Sequence, residues 1–121
     1  MTGDDPVVLV TCSGISNTGK CTTRAAALLC QRKPGEVEEH IPALSPEGFS
    51  PAVARRSQGC RVFVVDGCGD CCAANKVTLH GLDIDIHLIA TDCGIVKAGM
   101  DEPSFADIDR LAREMARLLR E

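Results

Sequence analysis

The chain has 121 residues, 45% of them apolar, with a formal net charge of −4. A chain of this size buries roughly two-thirds of the surface it exposes when unfolded, so residues 1–121 read as one domain able to fold without disulfide staples. The acidic balance and scattered basic residues argue against a nucleic-acid partner, and no apolar run approaches the roughly 20 residues that would span a membrane.

The eight cysteines bear on compartment. The start Met1-Thr2-Gly3-Asp4-Asp5-Pro6 is acidic and lacks a basic region followed by an apolar one, so a reducing cytoplasm fits better than a secreted disulfide scaffold.

In chain order, Val7-Val8-Leu9-Val10 is a continuous apolar, β-branched run, as expected of a central strand covered on both faces of a parallel sheet. A glycine-punctuated polar turn follows, then a helix predicted over Thr22 to Gln31, ending before Pro34-Gly35. Glu36 to Leu44 is a weaker strand leaving at Pro42, and Ser50 as the cap with Pro51 at the first helical position opens a helix running to Ser57. Arg61 to Asp66 is the second strong strand, and a helix over Asp70 to Leu79 is closed by His80-Gly81. Ile84, Ile86 and Leu88 alternate with Asp85 and His87, which marks an edge strand ending near Thr91-Asp92. Ser104 with Asp107 starts the last helix, whose face carries Ile108, Leu111, Met115, Leu118 and Leu119. Its arginines 110, 113, 117 and 120 alternate with acids on a solvated face. The expected architecture is a small three-layer, flavodoxin-like α/β sandwich with a four-stranded, mostly parallel sheet in the order 2-1-3-4. The edge strand and the last helix permit a homodimer without requiring one.

In such a sheet, functional groups gather at the carboxyl ends of the strands. Cys12 follows the first strand, His40 lies in the second, and Cys68 and Cys72 follow the third, four residues apart at a predicted helix start. Thiols so placed favour a soft metal ion or redox chemistry, and a helix amino terminus favours a thiolate. Cys30 and Cys60 are assigned to packing, and His80 and His87 to structural or exposed positions.

Two further patterns compete. Gly14-x-x-x-x-Gly19-Lys20-Cys21 departs by one position from a phosphate-binding loop, because Cys21 lacks the hydroxyl that magnesium requires. Nucleotide binding is therefore disfavoured, whereas Ser16, Asn17, Thr18 and Gly19 at a helix start remain candidates for a small anion. Cys68-Gly69-Asp70-Cys71 is also a Cys-x-x-Cys after a strand, which makes metal-free thiol redox or sulfur transfer through Cys68, Cys71 and Cys72 the main rival reading.

Cys12-Ser13-Gly14, Ser16-Asn17-Thr18-Gly19, Asp66-Gly67-Cys68-x-x-x-Cys72-Ala73 and Thr91-Asp92-x-Gly94-Ile95-x-Lys97 together resemble the DGC family, named for its central Asp-Gly-Cys. The resemblance covers about residues 7 to 98 and implies zinc bound by four cysteines, with no settled biochemical role. Cys12, Cys68 and Cys72 match three of these positions, and His40, before Ile41-Pro42-Ala43-Leu44, stands where the fourth is expected. The implied site is a tetrahedral Cys3His zinc centre built from three loops. Asp66, Asp92 and Lys97 would support it, Lys97 by offsetting thiolate charge. A substrate thiol or small anion would be the expected ligand.

Overall fold

The computed structural model of the protein describes residues 6–12, 14–43 and 48–120. Ser13 of the first motif, Leu44 at the end of the second predicted strand, and the acidic start before Pro6 lie outside the described residues. The elements are β1 (Val7–Thr11), α1 (Asn17–Arg32), β2 (Val37–Pro42), α2 (Ser50–Ser57), β3 (Arg61–Asp66), α3 (Cys72–Leu79), β4 (Ile86–Ile89) and α4 (Phe105–Leu119), with a 3-10 turn at Ala90–Cys93. The four strands are all parallel and ordered β2-β1-β3-β4, as the sequence predicts.

Every residue of β1 and β3 is buried, as two-sided coverage of interior strands requires. Strand alternation divides their side chains between two cores. Val7, Leu9, Phe63 and Val65 pack with α1 and α4, through residues such as Leu29, Leu111 and Met115. Val8, Val10, Val62 and Val64 pack with α2 and α3, through Ala52, Ala73 and Val77. In α4, Ser104 caps the helix by accepting from the Asp107 amide at 3.1 Å. Cys30 and Cys60 differ in burial, half-buried and buried. No helix among the described residues is long and apolar enough to cross a membrane.

Strand β4 is shorter than the sequence reading, Ile86–Ile89 with Ala90–Cys93 in a 3-10 turn, and three helix starts also differ. Helix α1 begins at Asn17, five residues before the predicted Thr22. Ser16 is extended and its Oγ accepts from Gly19 N at 3.1 Å, so a segment rich in turn formers is a capped helix start. Helix α3 begins at Cys72, after Cys71 at the N-cap, which leaves Cys68 in the preceding loop rather than on the first turn. Ser50 is the first residue of α2, and Phe49 precedes it as the cap.

The loops after β1 and β3 interlock. A Cβ built on Gly67 would lie 2.8 Å from both Gly19 N and the Thr18 carbonyl carbon, and one built on Gly19 would lie 2.7 Å from Gly14 O. Only hydrogen fits at these contacts, so both glycines are required by close backbone approach rather than by a turn angle.

Candidate metal centre

Asp66 ends β3 on the face that packs against α3. It is fully buried, and its carboxylate accepts from Ala73 N at 2.8 Å and Ala74 N at 3.2 Å. It thus caps α3 across the five-residue loop 67–71, supplying negative charge to the helix end with the free amides. Its Oδ2 is also 2.8 Å from Nε2 of His87, on the neighbouring strand, where His87 pairs in register with Val64. Cys71 sits at the α3 N-cap with φ 51°, the one non-glycine residue with positive φ among the described residues. That conformation costs on the order of 1 kcal/mol and persists where the surroundings enforce it. A carboxylate oxygen of Asp66, the Cys71 sulfur and a ring nitrogen of His87 all lie within 4.8 Å of one another.

Electrostatics at this edge favour a cation. Partial burial raises the Cys71 thiol pKa, and the charges of Asp66, Cys68, Asp92 and Cys72 raise it further. Cys72, exposed at the start of α3, is raised by desolvation and by the charges of Cys12, Asp70, Asp66 and Cys68. Lys97 stands beside Cys68, its Nζ 3.5 Å from that sulfur and 3.9 Å from Asp70. Asp92 lies exposed in the 3-10 turn and acts on the site through its charge. A thiol raised by surrounding negative charge ionises readily only when a positive partner arrives.

The predicted ligands are only partly gathered. Cys12 follows β1 and packs against the α2–α3 core, as does Cys71; its backbone carbonyl accepts from Thr22 Oγ1. His40 pairs in register with Leu9, two positions before the end of β1. Its Nε2 is 2.8 Å from Thr11 Oγ1, and burial lowers its pKa. Among the described residues, Cys12, His40, Cys68 and Cys72 do not form a set with all ligand atoms within 4.8 Å of one another, whereas Asp66, Cys71 and His87 do.

None of the three is expected as a ligand from the sequence, where Asp66 is expected only to support the site. His87, which alternates with apolar residues and is expected to be structural or exposed, is exposed; its register with Val64 on β3 nonetheless brings its Nε2 to Asp66 at the end of that strand. Cys71 is expected only in the thiol redox reading, and the later start of α3 makes it the residue at the cap. The Cys-x-x-Cys spacing and the strand alternation were the available signals.

The candidate anion residues have internal partners. Asn17 is buried, donates to Val96 O at 2.8 Å and accepts from Ala98 N at 2.7 Å. Thr18 is buried beside Ser16, 3.3 Å between hydroxyl oxygens, and Ser16 caps Gly19. Lys20 donates to Met100 O at 2.8 Å and pairs with Glu102 at 3.2 Å. Burial and the nearby Asp107 push the Cys21 thiol up to about 11, which makes Cys21 a protonated core residue. The loop therefore ties the segment 96–102 to α1.

The family model described as the DGC domain matches residues 8–115. The Anaerobic and virulence modulator AnvM of Pseudomonas aeruginosa strain PAO1 is 30% identical over 118 residues, covering 96% of this chain and 88% of that protein. No solved structure matches. With the Asp-Gly-Cys turn placed between β3 and α3, and the family model spanning all four strands, the chain belongs to the DGC family.

Proposed function

We propose that this protein binds zinc at the carboxyl edge of the sheet, with Asp66, Cys71 and His87 as three ligands and a thiol or exchangeable group in the fourth position. The observation that carries the reading is the mutual approach of these three donors within 4.8 Å. One oxygen, one sulfur and one nitrogen donor suit zinc's borderline softness and four-coordinate preference. Zinc takes such ligands at roughly 2.0–2.3 Å, so the three donors are close enough together to be candidates for one ion.

Each residue has a distinct role. Asp66, held by two α3 amides, offers a fixed oxygen and orients His87 through Oδ2. His87 would hold the ion through a ring nitrogen, and Cys71 would hold it as a thiolate, with the cation offsetting the negative charges that raise the Cys71 pKa. Bound zinc supplies Lewis acidity and activates a coordinated thiol or water. A site with three protein ligands and an exchangeable fourth suits thiol, hydrosulfide or metal handling.

A second ligand set, Cys12, Cys68 and Cys72 with His40, draws support from the charge coupling of Cys72 to both Cys12 and Cys68. Metal content by plasma mass spectrometry, on protein purified anaerobically and equilibrated with zinc, separates the two. Loss of about one zinc per chain in Cys71→Ala and His87→Ala, with retention in Cys12→Ala and His40→Gln, supports the Asp66 site. The opposite pattern transfers the zinc to the Cys3His set. A wild-type protein that takes up no zinc sinks both and leaves metal-free thiol chemistry at Cys68, Cys71 and Cys72.

A further inference from the structure

At the opposite edge of the sheet, α1 and α4 end side by side around a cavity of about 290 Å³. Its floor is apolar: Leu29 from α1, with Ala112 and Ala116 one turn apart on α4. The alanines are too small to fill the space between the helices, which is why the cleft remains. Around it stand five cations, Arg32 and Lys33 at the end of α1 and Arg113, Arg117 and Arg120 along α4.

These account for five of the chain's thirteen basic residues, in a protein of net charge −4. Among the described residues, the ion pairs of Arg32, Arg113 and Arg117 include the carboxylates of Asp109 and Glu114. Asp109 bridges Arg32 at 2.8 Å and Arg113 at 3.0 Å, and Glu114 accepts from Arg117 Nε at 3.1 Å. Lys33 and Arg120 make no ion pair among the described residues. The carboxyl ends of two helices add about one unit of negative charge between them. That still leaves a surplus of positive charge around an apolar floor.

We infer that the α1–α4 cleft binds a phosphate monoester bearing a small apolar body. Guanidinium groups on two helices match phosphate oxygens in bidentate fashion better than a single carboxylate would. The surplus charge also favours a dianion. The volume lies at the lower end of small-molecule sites, enough for one aromatic or short aliphatic group against Leu29, Ala112 and Ala116. Such chemistry is offered by a free metabolite or by the headgroup of an anionic lipid. The cleft is independent of the metal centre, since α1 and α4 reach it only after running the length of the sheet.

The test uses the full chain, with phenyl phosphate, inorganic phosphate, and phosphatidylcholine vesicles with or without phosphatidic acid as probes. Amide NMR shifts report the site, and Lys33→Glu/Arg120→Glu serves as the variant, with thermal unfolding confirming that it folds. The expected result is saturable phenyl phosphate binding that shifts the amides of Leu29, Ala112 and Ala116, is stronger than binding of inorganic phosphate, and weakens about tenfold or more in the variant. Binding to phosphatidic acid vesicles but not to phenyl phosphate, lost in the variant, keeps the chemistry and assigns a lipid source. Equal affinity for inorganic and phenyl phosphate, no binding of any probe up to about 10 mM, or binding unchanged in the variant overturns the inference.

Discussion

Replacing Asp66 by Asn separates the structural and metal-binding roles of one carboxylate. In the wild type this buried group accepts three hydrogen bonds, from Ala73 N, Ala74 N and His87 Nε2. An amide has one acceptor oxygen. If that oxygen keeps the shorter bond to Ala73 N, the NH2 group faces Ala74 N, donor against donor, and the negative charge at the helix start is lost. A buried hydrogen bond to a charged group contributes about 1.5–3 kcal/mol, so the variant is expected to lose about 2–3 kcal/mol. For a chain of this length that lowers the unfolding midpoint by about 10 °C. Thermal unfolding followed by circular dichroism in the presence of chelator reads this loss without contribution from metal. A second scan with excess zinc reads the metal role: the wild type rises by the linkage of binding to folding, about 2.7 kcal/mol at a hundredfold excess over Kd, and the variant rises little. A chelated variant within about 2 °C of the wild type would show that this carboxylate does not hold the start of α3. A full zinc-induced rise in the variant would remove Asp66 from the metal site.

Gly67→Ala places a Cβ 2.8 Å from two backbone atoms of the α1 start; with backbone on both sides, a loss of about 3 kcal/mol is expected in urea unfolding, and a midpoint equal to wild type would refute the interlock. Lys20→Ala removes an exposed contact with Met100 O and Glu102 and is expected to change stability by less than about 1 kcal/mol and zinc content not at all; loss of nucleotide binding by this variant would instead revive the phosphate-loop reading. His40 has its pKa lowered from 6.5 by burial, so the folded state binds fewer protons than the unfolded state just below 6.5. The associated stability is present above 6.5 and falls as pH drops toward the folded pKa. His40→Gln is expected to flatten that part of the pH–stability curve measured in chelator, and an unchanged slope would count against the buried neutral imidazole.

Much of the architecture was readable from local pattern. The apolar runs at Val7–Val10 and Val62–Val65 defined two interior strands, because only strands covered on both faces dispense with alternation. The order 2-1-3-4 followed from the handedness of the crossovers. Ser104 and Asp107 marked the start of α4 because capping is a short-range interaction. Which thiols and imidazoles meet was a matter for the tertiary structure, since it depends on strand register and on where one helix begins. His40 is set in register with Leu9 beside Thr11, and His87 comes beside Asp66 only because β4 pairs with β3. A helix start two residues later than predicted puts Cys71, rather than Gly69, at the α3 cap. Periodicity records which residues avoid water; contacts between distant segments decide which polar groups then share a site.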